Sequence, residues 1–213
     1  MNNCEYPFCL KDKNHTGFHT LNNKKYKIIY ADPPWKMEFS ASKSRDVDKK
    51  YDVMNYKDIA NIDVNNISDN DSILFMWTTY PKLEESFYVL NSWGFKYRTV
   101  GFVWIKKYSN NTNYLGMGNY TRANSEIVLI GVKGKGVKTQ VRNISQIIQT
   151  VMIPDHTTFI NYKHSKKPDI VRTRIVQLCG DLPRIELFAR TKIHGWDVWG
   201  NDEKLTHEPL EAF

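Results

Sequence analysis

Cysteine is scarce in this sequence: three in 213 residues, at positions 4, 9 and 179. That is too few for a disulfide framework and suits a reducing compartment. Long apolar runs are absent too. No stretch of about eighteen such residues occurs, so the sequence predicts no transmembrane helix. The start, Met1-Asn2-Asn3-Cys4-Glu5, lacks the basic and apolar regions of a signal peptide. The chain is therefore expected to stay where it is made, in a cytoplasm. Repeats and long linkers are also missing. Hydrophobic residues make up 41% and charged residues 25%, values of a globular protein with a real core. The length fits one domain, or one domain with a small appendage. Acidic residues are outnumbered, leaving a net charge of +7. A polyanionic partner suits that balance. The 13% aromatic content adds a little to that reading, because base-handling proteins use stacking surfaces, although most of these rings must be core residues. Abundant Asn, Lys and Ile reflect an AT-rich genome.

Residues 1–23 are polar and form a first segment, with residues 24–213 as the main domain. Tyr26-Lys27-Ile28-Ile29-Tyr30-Ala31 reads as a buried strand closed by Asp32-Pro33-Pro34. Residues 36–53 are charged and read as a loop, after which Asn55 caps a short helix with Asp58 in its first turn. Residues 72–77, 100–105 and 127–132 are further strands, and 151–153 a short one. Leu83, Phe87 and Leu90 recur at helical spacing until Gly94. The Asn- and Gly-rich stretch 108–122 is a long surface loop of the kind that tends to carry function. Pro168 at the first position, Asp169 in the first turn and Gly180 after the end frame a helix with Val171, Ile175 and Cys179 on one face. Cys179 is expected to be an inert core residue. Residues 184–189 and 197–199 supply the last strands. Strands alternating with helices, read as continuous apolar runs, indicate an α/β sheet covered on both faces. Ligands of such sheets bind at the carboxyl ends of strands. Asp32 stands at such an end.

Asp32-Pro33-Pro34-Trp35 has a chemical logic. Two prolines fix φ and remove two backbone donors, so the turn is rigid and its carbonyls are free to accept. A carboxylate and a neighbouring carbonyl can then accept both hydrogens of one amino group. The adenine amine is a poor nucleophile because its lone pair is delocalised into the ring. Accepting its hydrogens lets the nitrogen become tetrahedral and aim that lone pair at a methyl donor. Trp35 offers a face for the base, worth roughly 1–3 kcal/mol by analogy with other stacking sites. Holding donor and acceptor in line supplies the rest. Without its setting, the same motif is a turn leaving a strand.

With its setting, the sequence resembles a known family. Ala31-Asp32-Pro33-Pro34-Trp35, Tyr51, Leu74-Phe75-Met76-Trp77 and Asn91-Ser92-Trp93-Gly94-Phe95 come in that family's order. So do Val103-Trp104-Ile105-Lys106, residues 126–134, Lys166-Lys167-Pro168-Asp169, residues 185–190 and Trp199-Gly200-Asn201-Asp202. Together they resemble the adenine-N6 methyltransferases typified by the catalytic subunit that makes N6-methyladenosine in mRNA, whose bacterial and phage members act on DNA. The resemblance covers residues 26–202 and implies a Rossmann-like class I methyltransferase fold in the circularly permuted β-type order. It implies S-adenosylmethionine as methyl donor. Asp32, Pro33, Pro34 and Trp35 would form the catalytic turn, with Asp32 also near the cofactor. Trp35 and Tyr51 would flank the base or the donor, and Arg122 and Glu126 would line the target-nucleotide pocket. Lys167 would close over the methionine end, while Arg190, Asn201 and Asp202 would hold ribose and adenine. The alternatives are a surface charge for Glu126, a strand-end ion-pair partner for Arg190 and a simple turn for Asn201-Asp202, with the functional reading favoured for each. Trp77 is expected in the core. Two features depart from the family. Upstream of the catalytic motif there is no strand comparable to the one that carries the acidic cofactor contact of the human catalytic member. Thr191, Lys192 and Ile193 stand where the family has a His-Asn pair after Arg190.

Cys4-x4-Cys9-x5-His15-x3-His19 gathers two thiols and two imidazoles in a short span. That donor set suits tetrahedral Zn²⁺, and the segment reads as a small structural knuckle. The alternative is a polar tail that happens to hold these residues. A compact chain of AT-rich composition suggests a bacterial or phage protein acting on DNA, with the target base flipped out of the duplex. RNA is the first alternative. A non-catalytic nucleic-acid-binding partner is the second, opposed by the intact motif. Lys43, Arg45, Lys49 and Lys50, together with Lys133, Lys135 and Lys138, are candidates for phosphate contacts. The sequence leaves a homo- or heterodimer open, and no membrane partner is expected.

Overall fold

The computed structural model describes residues 24–37, 53–151, 154–155, 161–162 and 166–200. Its frame starts at β1, Tyr26–Ala31, apolar and buried at every position but Lys27. Two strands flank β1 in parallel: β2, Ser68–Thr78, on one side and β8, Arg184–Leu187, on the other. Beyond β8 lies β9, Asp197–Trp199, also parallel. On the far side of β2 the direction reverses in β4, Ser125–Lys133, which pairs antiparallel with β2 and with β3, Lys96–Lys107. The edge strand β5, Ile147–Val151, runs parallel to β3. The order is therefore β5-β3-β4-β2-β1-β8-β9, with β4 alone reversed. Two short strands, β6 (Pro154–Asp155) and β7 (Asn161–Tyr162), pair only with each other.

Because side chains alternate across a strand, the apolar runs feed two cores. Ile29, Ala31, Leu74, Met76, Leu129, Ile185 and Leu187 pack on one face against α1 (Tyr56–Ala60), α2 (Val64–Ile67) and α3 (Leu83–Ser92). Ile28, Tyr30, Phe75, Trp77, Phe102 and Val128 pack on the other against α4 (Ile170–Cys179) and Trp196. This is the α/β sheet covered on both faces that the alternation of strands and helices predicts. Cys179 sits in the second core, where burial pushes its thiol up to about 12 and leaves it inert.

Local signals placed the helices well. The Asn55 side chain accepts from the Lys57 N–H at 2.9 Å, and Gly94 and Gly180 leave their helices at φ +83° and +86°. Strand ends moved. The last expected strand, 184–189, stops at Leu187 because Phe188 turns to φ +62°. Of the short strand expected at 151–153, Val151 ends β5, which begins at Ile147 by its register with β3, and Met152 and Ile153 lie outside the described residues. Pro168 and Asp169 precede α4 rather than entering it, so its first turn holds no acid, and Asp169 pairs with Arg172 instead. Among the described residues no helix is long and apolar enough to cross a membrane.

Candidate active site

Strand direction decides what meets at one edge. β1, β2 and β8 end there, and because β4 runs backwards it begins there. Thr78 pairs with Ile127, and Trp104 of β3 with Glu126. The edge therefore gathers Asp32, Lys106, Glu126 and the backbone after Leu187.

The turn after β1 is tightly held. The Trp35 N–H donates to the Pro33 carbonyl at 2.9 Å, and the Met54 N–H donates to the Pro34 carbonyl at 2.8 Å. The prolyl carbonyls are thus not free of partners, contrary to the sequence-based expectation. The chain folds back to present backbone donors from Trp35 and Met54. Each carbonyl keeps a second lone pair. Trp35 is half-buried, and its indole N–H donates to the Trp77 carbonyl at 3.1 Å, which fixes the ring over the end of β2.

Four charged side chains form a chain in this pocket. Lys167 Nζ lies 3.0 Å from Asp32 Oδ1 and 3.2 Å from Glu126 Oε2. The other Glu126 oxygen pairs with Lys106, whose ammonium sits 4.5 Å from the centre of the Trp104 ring. Trp77, buried in the core as expected, turns its ring toward Lys167 at 5.4 Å. The sequence runs Asp32, Lys167, Glu126, Lys106: alternating signs and no net charge. Side-chain exposures are only 10–21%. Burial raises the proton affinity of Glu126, but Lys167 and Lys106 outweigh it and hold the carboxyl below its ordinary value. Lys167 stays above its own ordinary value despite burial, because Asp32 and Glu126 both face it. Asp32 shares that single cation, and burial pushes it above the ordinary carboxylate range against the pull of Lys167 and the weaker pull of Arg190. Two acids with different cation support thus have opposite shifts, a pattern typical of functional sites.

Behind the pocket, Arg172 on α4 holds Glu186 of β8 with two bonds of 2.6 Å each. That pair ties the start of α4, and with it the Lys167 segment, to the strand beside β1. Ala189 and Gly200 cross closely: a Cβ on Gly200 would lie 2.2 Å from the Ala189 carbonyl, so only glycine fits. Thr79 Oγ1, one residue past β2, is buried without a hydrogen-bond partner.

Of the residues singled out from sequence, Asp32, Glu126 and Lys167 are brought together. Arg190 is exposed just past β8, and its charge reaches Asp32. Arg122 is exposed on the loop between β3 and β4. Lys133 and Lys135 are at the wrong edge for a substrate at Asp32: the register Ser72–Lys133 puts the end of β4 beside the start of β2. The reversal of β4 carries them there. Tyr51, Asn201, Asp202, Lys43, Arg45, Lys49 and Lys50 lie outside the described residues, as do Cys4, Cys9, His15 and His19. Among the described residues, no group of three or more His, Cys, Asp or Glu is placed to hold a metal ion. Lys106, Arg172, Glu186 and Thr79 were not anticipated. Lys106 had a signal, as the first of two lysines ending an apolar strand, but its meaning needs the β3–β4 register.

The profile of one family, MT-A70, matches residues 26–202. A Type II methyltransferase, M.MunI, of a Mycoplasma species is 37% identical over 201 residues, covering 86% of this chain and 80% of that protein. An N(6)-adenosine-methyltransferase MT-A70-like protein of Arabidopsis thaliana is 25% identical over 199 residues, 88% of this chain but 25% of that protein. The N(6)-adenine-specific methyltransferase METTL4 of Homo sapiens is 24% identical over 202 residues, 91% of this chain and 40% of that protein. The chain thus spans most of the Mycoplasma relative and well under half of the two eukaryotic ones.

Proposed function

The chain belongs to the MT-A70 family and is an adenine-N6 methyltransferase, and we propose that its substrate is DNA, with the target base turned out of the duplex into the pocket at Asp32 and Trp35. The observation that carries the reading is Asp32, at the carboxyl end of β1, buried in an electroneutral charge chain and followed by a turn with half-used carbonyls. DNA is favoured because the Type II methyltransferase is matched at 37% over most of both chains. The N(6)-adenosine relative is matched at 25% over a quarter of its length.

The residues present fit S-adenosylmethionine. Its methionine end is a zwitterion, and Lys167 offers a cation beside two carboxylate acceptors. The orphaned Thr79 Oγ1 needs a polar partner, and the exposed Arg190, with Asn201 and Asp202, would hold the ribose and adenine. When bound, S-adenosylmethionine supplies a methyl group on positively charged sulfur. Asp32 and the second lone pair of the Pro33 carbonyl accept the two hydrogens of the target amine. The nitrogen lone pair is thereby released from the purine ring. For this, the amine takes the place of Lys167 at Asp32 Oδ1, and Lys167 remains charged against Glu126. As the nitrogen gains its fourth bond, Asp32 is the nearest group to hold the proton it sheds, and burial has already raised its affinity for one. Trp35 stacks on the base, its plane fixed by the bond to Trp77. In the first 23 residues, Cys4, Cys9, His15 and His19 are proposed as the ligands of a structural zinc.

The test is incubation with radiolabelled S-adenosylmethionine and duplex DNA, single-stranded DNA or RNA, followed by digestion to nucleosides. Label in the N6-methyl deoxyadenosine fraction is expected. Label in adenosine from RNA alone replaces DNA by RNA as substrate. Cofactor binding without label in any digest assigns a non-catalytic nucleic-acid-binding partner. Label that survives Asp32→Ala refutes the role of that carboxylate.

A further inference from the structure

The loop between β3 and β4 is a built finger. Its root is tied to the catalytic edge at Lys106, whose N–H donates to the Asn124 carbonyl and whose carbonyl accepts from the Tyr114 N–H, both at 2.9 Å. The Tyr108 and Tyr114 rings pack together at 5.3 Å beside this root. Higher up, the Gly116 N–H donates to the Ala123 carbonyl at 2.8 Å. The two sides approach so closely that a Cβ on Gly116 would meet the Ala123 carbonyl at 2.5 Å, and one on Gly118 the Thr121 carbonyl at 2.0 Å. The backbone here has room only for glycine, which makes the tip a tight turn. At that tip Met117 is 71% exposed and Tyr120 fully exposed, more than any other large apolar side chain among the described residues. Leu115 adds a third at 57%.

Leu115, Met117 and Tyr120 group their exposed apolar surface on one narrow turn, and grouped apolar surface of this kind marks an interaction site where a single exposed ring would not. We propose that this finger enters duplex DNA beside the target site, with Tyr120 and Met117 filling the space that the flipped adenine leaves. The inference rests on the DNA reading above. Three features favour nucleic acid as the occupant. Residues 108–125 contain no acidic side chain, and Arg122 stands two positions from Tyr120, within reach of a phosphate. A tyrosine face stacks on any base, and apolar wedges between base steps are an established way of opening a duplex. The finger also rises from Lys106, part of the same charge chain that holds Asp32, so its root and the pocket sit on one edge of the sheet. Turning out a base leaves a stacking gap, and a side chain that fills it slows the return of the base.

The experiment compares methyl transfer to one unmethylated DNA of mixed sequence, as duplex and after heat denaturation. Tyr120→Ala and Met117→Ala are expected to lower kcat/KM on duplex on the order of tenfold or more. Transfer to the denatured form should be unchanged, and Tyr120→Phe should keep both activities because the stacking face survives. Equal losses on both forms, or no loss on duplex, overturn the finger. So does a wild type confined to single strands. Losses accompanied by conversion of a dimer to a monomer would assign the tip to a second copy of this chain instead. Wild-type label in neither DNA form overturns the DNA reading itself, and the finger with it.

Discussion

Replacing Lys106 by methionine removes one of the two cations flanking Glu126 while keeping most of the buried stem. Lys106 and Glu126 side chains are 10% and 14% exposed, so solvent screens their pairing little. Breaking a buried pair from one side costs about 3–5 kcal/mol, mostly through the charge left behind. Lys167 still stands 3.2 Å from Glu126, which places the expected loss near the lower limit, about 3 kcal/mol. For a chain of this size that is roughly 6–12 °C in Tm. The sign with pH follows from the direction of the shift. Glu126 is held below its ordinary value in the folded protein, so its pairing stabilises above the unfolded pKa. That stabilisation is lost as pH falls through the folded pKa. The gap between wild type and Lys106→Met should be full at pH 7 and shrink below about pH 4. Urea unfolding across that range measures it. Adding Glu126→Gln to Lys106→Met should recover stability, because no unpaired charge then remains. A gap under about 0.5 kcal/mol at pH 7, or one equal at acid and neutral pH, would refute the charge chain as described.

The same site sets an acid limit on catalysis. Asp32 must be ionised to accept the amine, and burial raises it, so kcat/KM should fall on the acid side with an apparent pKa above the ordinary carboxylate value. Since Lys167 pulls Asp32 down, Lys167→Met should move that limb higher; an unmoved limb counts against their contact. Asp32→Asn should cut transfer by at least about a hundredfold without lowering Tm, because a carboxylate raised by burial costs stability at neutral pH. A large drop in Tm would give Asp32 a structural role instead. Arg172→Leu leaves Glu186 buried at 5% exposure without its two bonds. Urea midpoints should report a loss of about 3–5 kcal/mol, and a loss below about 1 kcal/mol would show the pair to be dispensable. Zinc should co-purify with the protein and be lost from a Cys4→Ser, Cys9→Ser double variant; equal metal content would remove the knuckle.

Much of the local structure was readable from neighbours in the chain. β1 runs over the residues marked from sequence, because a short run that is apolar but for Lys27 and is closed by Asp32-Pro33-Pro34 has few other conformations. The Asn55 cap and the Gly94 and Gly180 exits are likewise local events. Strand ends were less readable. The end of β8 depends on Phe188 adopting a left-handed backbone against Trp199, and the position of β5 on pairing with β3. The prolyl carbonyls show the same limit: Pro34 is satisfied by Met54, twenty residues on.

Sequence by itself determined the family and the chemistry and singled out Asp32 as the candidate to face the amine, since ordered motifs and a rigid acceptor turn are written in consecutive residues. Tertiary structure alone decided how Asp32 is charged and what surrounds it. Lys167, Glu126 and Lys106 reach Asp32 only because β4 runs against its neighbours and α4 is tied to β8 by Arg172. The same reversal carries Lys133 to the opposite edge and raises the Tyr120 finger beside the pocket. Strand direction is a global property of the sheet, so no window of sequence contains it.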